Sequence, residues 1–130
     1  MIFLLDTNAV IGLSKNNIGL NTNLRLHRPQ DIVVSTIIMH ELYLGAYKGQ
    51  RTAYSLATIE GMEFNVLDFD KEDARRAGEL RAFLAGSGTP IGPYDILIAG
   101  QALARSLTLI TRNTREFERV KGLSVENWEG

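Results

Sequence analysis

The chain opens on an unbroken apolar run, Met1 to Leu5, that stops at Asp6. A short apolar run bounded by polar residues suits a strand buried on both faces of a parallel sheet. Thr7 and Asn8 are good capping types for a helix that the sequence predicts over Ala9 to Ser14. A strand that runs straight into a helix is the start of an α/β unit. In open α/β sheets, ligands sit beyond the carboxyl ends of the strands. Asp6 therefore occupies the place where chemistry would be expected, and the remaining residues can be read as its candidate partners.

The alternation continues along the chain. Asn16 to Asn23 is rich in Asn and Gly and reads as loop, with a helical turn over Leu20 to Leu26. Ile32 to Ser35 is a second strand, and Ser35 or Thr36 caps a helix that runs to Lys48 and closes at Gly49. Arg51 to Met62 forms a second helix, so the Thr36–Met62 region makes a helical hairpin. Phe64 to Phe69 is a third strand. Asp70 opens a helix through Leu84, with Ala74, Ala77, Leu80 and Leu84 at helical spacing. Gly86 to Pro93 is loop, and Tyr94 to Ser106 is an apolar, buried helix. Leu107 to Thr111 is a fourth strand, Thr114 to Val120 a short helix, and Leu123 to Trp128 an edge strand. Strands alternating with helices imply a three-layer α/β/α sandwich with a mostly parallel central sheet. The 130 residues suit one domain, residues 1–130, with no repeat or linker.

Composition limits the chemistry. There is no cysteine, which removes disulfides and thiolate metal sites and leaves oxygen ligands. No apolar run approaches the roughly 20 residues needed to cross a membrane, and the apolar start lacks the basic flank of a signal peptide. A cytoplasmic protein is expected. Net charge is −1, so nucleic-acid binding would need local positive charge or bound cations.

Four acids fall at comparable places. Asp6 ends the first strand. Glu41 lies in the apolar Ile37–Leu44 segment, with no Lys or Arg one turn away. Asp95 begins the buried helix, and Glu116 follows the fourth strand. A carboxylate in an apolar helix is costly unless it is paired or binds a cation. Several uncompensated carboxylates at one end of a sheet are a usual way to hold Mg²⁺ or Mn²⁺. Two such ions about 4 Å apart activate water and offset the charge of a phosphodiester's transition state. Singly, each acid has a blander reading: Asp6 and Asp95 as helix caps, Glu116 paired with Arg112, Arg115 or Arg119. Tyr43, Leu44, Tyr47 and Tyr54 read as core by default, and as an exposed groove for a partner helix in the sharper alternative. His27 and His40 are not expected to take part in catalysis.

Taken in order, Leu5-Asp6-Thr7-Asn8, helical Glu41, Ile91-Gly92-Pro93-Tyr94-Asp95-Ile96-Leu97-Ile98-Ala99 and Thr111-Arg112-Asn113-Thr114-Arg115-Glu116-Phe117 resemble the PIN-domain nucleases. More closely they resemble the VapC toxins of bacterial toxin–antitoxin pairs. The resemblance spans nearly the whole chain. It implies a PIN-like fold and a Mg²⁺-dependent endoribonuclease inhibited by a VapB-like antitoxin encoded beside it. It makes Asp6, Glu41 and Asp95 metal ligands. At the fourth acidic place many relatives carry an Asp where this chain has Asn113, so either Glu116 or Asn113 fills it. Thr7, Asn8 and Thr111 would position the acids or a water. Arg112 and Arg115 are candidate RNA contacts, and Leu44 and Tyr47 candidate antitoxin contacts. The resemblance further implies a homodimer, DNA contact only through the antitoxin, no membrane partner, and transfer RNA as substrate, with the anticodon loop of initiator tRNA a recurring target. A haloacid-dehalogenase-like phosphotransferase, a phospho-receiver domain and a non-catalytic binding module are the rival readings. The first generally needs an Asp two residues after Asp6, where this chain has Asn8, and the second needs a Lys after the last strand, where it has Thr111-Arg112.

Overall fold

The computed structural model describes residues 1–129. Five short strands form one sheet: β1 (Phe3–Leu5), β2 (Ile32–Ser35), β3 (Asn65–Leu67), β4 (Thr108–Ile110) and β5 (Val125–Glu126). Their order is β3-β2-β1-β4-β5, and every neighbouring pair is parallel. Seven helices connect or follow them: α1 (Thr7–Ser14), α2 (Ile18–Arg25), α3 (Thr36–Lys48), α4 (Thr52–Gly61), α5 (Lys71–Gly86), α6 (Pro93–Arg105) and α7 (Thr114–Phe117). This is the α/β/α sandwich expected from the alternation, with a sheet that is wholly parallel. No helix among the described residues is long and apolar enough to cross a membrane.

β1 is central, and Leu4 and Leu5 are fully buried. Register places Leu4 beside Val33 on β2 and Leu109 on β4. The first two crossovers step from β1 to β2 to β3. The third, through α5 and α6, jumps back to β4 on the other side of β1. Strand order therefore reverses between β1 and β4, and such a switch point opens a crevice at the strands' carboxyl ends. Asp6 lies there.

Several boundaries differ from expectation for identifiable reasons. Asp6 itself caps α1, its carboxylate accepting from the Thr7 N–H at 2.8 Å, so the helix begins at Thr7 and not at Ala9. The Asn-rich stretch is a helix, α2, because the Asn17 side chain caps it at Leu20 N. Ala74 is exposed; the inward stripe of α5 is Asp73, Ala77, Leu80 and Leu84. Asp73 is fully buried and fully occupied. It closes a capping box with Asp70, accepts from Gln101 Nε2 at 3.0 Å, and is gripped by Arg105 through Nε at 3.1 Å and Nη2 at 3.1 Å.

The α5–α6 contact is close because Gly100 faces the α5 backbone. A methyl group on Gly100 would lie 2.6 Å from the Ala77 Cα and 2.7 Å from its N. Backbone cannot yield as a side-chain tip does, so the helices would have to separate. Gly100→Ala should destabilise the protein by about 1–3 kcal/mol. Gly78→Ala on α5, where nothing lies within 4 Å, should be neutral or stabilising by up to about 1 kcal/mol. Urea unfolding of the two variants checks the contrast, and equal midpoints would contradict it.

Candidate active site

Asp6 is buried and held from three sides. Its Oδ1 accepts from the Thr7 N–H, and its Oδ2 accepts from Thr111 Oγ1 at 2.8 Å and Asn8 Nδ2 at 3.2 Å. Asn8 also donates to Thr111 Oγ1 at 3.1 Å and accepts from the Arg112 N–H at 3.2 Å. The Asn113 N–H donates to Thr111 Oγ1 at 3.1 Å. Strand order makes this possible, because pairing Leu5 with Ile110 sets Thr111 level with Asp6. Two neighbouring strand ends are thus locked through one carboxylate.

Glu41 enters from α3. Ile38, Leu42 and Ala46 turn that helix's apolar face inward, which leaves Glu41 half-buried at its rim. Its Oε2 accepts from Thr7 Oγ1 at 3.0 Å. Asp95 sits in the first turn of α6, whose cap residue is Gly92. A methyl group on Gly92 would approach Asp95 Oδ2 to 3.2 Å, so glycine leaves room for the carboxylate. The Gly92 N–H donates to Glu116 Oε1 at 3.1 Å. Glu116 thereby stands beside Asp95 and ties α7 to the start of α6.

Asp6, Glu41 and Asp95 line one cleft of about 470 Å³, together with Thr7, Asn8, Arg112 and Asn113. None of Asp6, Glu41, Asp95 or Glu116 makes a salt bridge among the described residues. The electrostatic consequence is largest at Asp95, whose pKa is pushed up to about 7 by burial, then by the charges of Glu116, Asp6 and Glu41. Burial also raises Asp6, against the hydrogen bonds from Thr111, Thr7 and Asn8, with Glu116 adding to the rise. Burial raises Glu41 as well, opposed by Thr7 and reinforced by Asp6.

Other candidates fall less centrally. Asn113 leaves its side chain uncommitted to capping α7 and lines the cleft, whereas Glu116 supports Asp95 from behind Gly92. The local ion pairs open to Glu116 are not made; Arg119 donates instead to the Pro90 carbonyl at 3.0 Å. Arg115 is exposed and does not line the cleft. His27 stacks on Trp128 with Phe3 tilted against both, and His40 lies 5.5 Å from the Tyr94 ring. Leu44, Tyr47 and Tyr54 are exposed, so the core reading of those three fails. Leu44 and Tyr47 do not line the apolar groove of about 260 Å³ between α1, α3 and α4 either. Val10, Leu42, Gly45, Ala46, Tyr54 and Ile59 do. Glu41 and Ile11 border both the groove and the acidic cleft.

Five cleft residues escaped the sequence reading: Ile11, Gly12, Lys15, Asn17 and Glu129. The signal for Lys15 was available. Thr7, Ile11 and Lys15 recur every four residues, which places them on one face of α1 once the helix is known to start at Thr7.

The PIN-domain family pattern matches residues 3–123. The chain belongs to this family. Within it, the chain is 43% identical over 129 residues to the tRNA(fMet)-specific endonuclease VapC of Shigella flexneri, covering 97% of each. It is also similar to VapC in solved complexes. For DNA-bound VapBC from Salmonella typhimurium the TM-score is 0.93 at 40% identity, covering 98% of each chain. For VapBC-1 from nontypeable Haemophilus influenzae it is 0.90 at 33% identity, covering 100% of each. The family match spans the fold and the positions of Asp6, Glu41, Asp95 and Glu116.

The raised Asp95 pKa has a definite sign for stability. The folded chain holds a proton that the unfolded chain releases near the ordinary value of 3.8. The Asp95 contribution is therefore fully present below pH 4 and is lost as pH rises towards 7. In metal-free buffer, Asp95→Asn should be more stable than the parent at pH 8, by about 1–2 kcal/mol after allowing for partial exposure, and nearly equal to it at pH 4. Chemical unfolding at the two pH values, with chelator present, measures this; a variant less stable at pH 8 would contradict the proposed repulsion.

Proposed function

We propose that this chain is the toxin of a toxin–antitoxin pair, a divalent-metal-dependent endoribonuclease that hydrolyses transfer RNA, with the anticodon loop of initiator tRNA its target. The observation that carries this reading is the convergence of Asp6, Glu41 and Asp95 in one cleft without a basic partner. The tRNA(fMet) specificity of the Shigella relative supports the substrate, and the complexes formed by the solved relatives support the partner.

The donor set fits a hard cation. It is all oxygen, and its carboxylates raise one another's pKa. Among the described residues no three acids or histidines already converge into a finished ion cage; mutual repulsion favours such spacing when no positive charge lies between them. Mg²⁺ or Mn²⁺ held by Asp6, Glu41 and Asp95 would supply an activated water and offset the negative charge that develops on the phosphodiester. Thr111, Asn8 and the Thr7 N–H fix the Asp6 carboxylate so that its orientation needs no further ordering. The Thr7 hydroxyl does the same for Glu41. Asp95, poised near pH 7, must release its proton when a cation binds, so cation affinity should weaken as pH falls. Water forms the new P–O bond, the P–O3′ bond breaks and the 3′ oxygen takes up a proton. The products carry 5′-phosphate and 3′-OH.

Asp6→Asn and Asp95→Asn retain size and remove a ligand charge. Each should lower cleavage by two or more orders of magnitude, to about the level of the parent in EDTA, and mapping the ends left by the parent enzyme tests the water pathway. Full activity in a folded Asp95→Asn protein, or 2′,3′-cyclic phosphate ends, would overturn the mechanism.

The same reading includes a VapB-like antitoxin whose apolar segment occupies the α1–α3–α4 groove and reaches the acids past Ile11 and Glu41. It also includes a homodimer, for which exposed Leu44 and Tyr47 are better placed than for the groove. Gly45 lines the groove, and a methyl group added there would meet nothing within 4 Å. Gly45→Arg should therefore fold normally yet fill the groove. Antitoxin affinity should fall at least tenfold, about 1.4 kcal/mol, in a titration by calorimetry; unchanged affinity would move the antitoxin elsewhere.

A further inference from the structure

We infer that Lys15 grips a second RNA phosphate, away from the scissile one, so that the substrate strand runs along α1 from its first turn towards its last. The inference rests on the ribonuclease reading and adds a residue and a direction to it.

The cleft contains four carboxylates, Asp6, Glu41, Asp95 and Glu129, and only two cations, Lys15 and Arg112. A polyanion entering such a cleft needs both. The backbones that carry the two cations stand apart. The Arg112 N–H is hydrogen bonded to Asn8 Oδ1, which sets its backbone level with the first turn of α1. Lys15 lies seven residues beyond Asn8, about 10 Å along the helix axis. That spacing lets each cation address a different phosphodiester. Thr7, Ile11, Gly12 and Lys15 all line the cleft and so mark a continuous path along one face of α1. Gly12 also lets α2 pack closely on α1, since a methyl group there would collide with the buried Leu20 side chain.

Two further features single out Lys15. It is exposed, and it has no carboxylate within salt-bridge distance among the described residues. Glu129, which also lines the cleft, carries a buried Oε2 that accepts no hydrogen bond among the described residues. A carboxylate in the cleft repels a passing phosphate, and Lys15 is one of the two lining cations that can offset it.

The test is RNA binding by the full chain carrying Asp95→Asn, which removes cleavage, across a salt series with Mg²⁺ present. Adding Lys15→Ala should weaken binding about threefold to tenfold at low salt and reduce the slope of log affinity against log salt by about 0.7, the value of one phosphate on a single strand. Lys15→Arg should restore both. Lys121→Ala, an exposed lysine outside the cleft, should change neither. RNAs carrying one neutral methylphosphonate at successive positions then locate the contact. The Lys15-containing protein should lose affinity at the scissile position and at a second position displaced from it, and the Lys15→Ala protein only at the first. An unchanged salt slope, or identical methylphosphonate profiles with and without Lys15, would overturn the inference while leaving the ribonuclease reading standing. Failure of the parent chain to cleave any RNA would take down both.

Discussion

The hydrogen bond from Thr111 Oγ1 to Asp6 Oδ2 joins residues 105 positions apart, and the rest of the site depends on it. A carboxylate buried at the end of the central strand is costly unless donors surround it. Three donors do so here, and each comes from a different reason of fold. Thr7 donates because Asp6 caps α1. Asn8 donates because it is in that helix's first turn. Thr111 donates because β4 lies next to β1. Strand order β3-β2-β1-β4-β5 thus supplies a hydrogen bond to Asp6 as well as a crevice. Asn8, shared between Asp6, Thr111 and the Arg112 backbone, extends the lock to the loop after β4.

Once α1 is fixed at its first turn, its whole cleft-facing stripe is fixed. Thr7 reaches Glu41, Ile11 borders both cleft and groove, and Lys15 lines the cleft one turn further on. One helix therefore connects acid chemistry, partner groove and the proposed path of RNA. The rigid core beneath it bears the repulsion among the acids. Leu4, Leu5, Val34, Ile38 and Ile98 are fully buried under the site, and packing of that density resists small displacements.

The strands and most helices were legible because apolar runs and helical spacing report burial directly. The three central acids were legible because uncompensated carboxylates stood at a strand end, inside an apolar helix and at a helix start, in an order that resembled a known family. What escaped depends on side-chain capping. Asn17 turns an Asn-rich loop into α2, and Asp6 starts α1 two residues early, which brings Thr7 into the helix one turn before Ile11. Ala74 gave way to Asp73 on the inward face of α5 because periodicity counts apolar residues and cannot see a network that satisfies a buried acid. Glu116 looked open to local arginines, yet its partner is the Gly92 N–H, 24 positions away. Leu44 and Tyr47 lie on α3 at positions that periodicity alone could not divide between core, groove and open surface.

Asp73 and Asp95 show how the same side chain is assigned to structure or to chemistry. Asp73 is the more deeply buried. Burial pushes its pKa up, but the hydrogen bonds from Arg105, the Asp70 N–H and Gln101, with the Arg105 charge, hold it below the ordinary value. Every lone pair that matters has a donor, and nothing remains to offer a ligand. Asp95 is less buried, yet its pKa moves the other way, because its neighbours are Glu116, Asp6 and Glu41 and none supplies a positive charge. Depth of burial therefore does not separate the two; the sign of the surrounding charge does. An acid surrounded by donors at the end of a helix pair stabilises that pair. An acid surrounded by acids at a switch point stays under electrostatic strain, and that unmet demand for positive charge, more than the presence of any one carboxylate, sets the cleft apart from the structural acids.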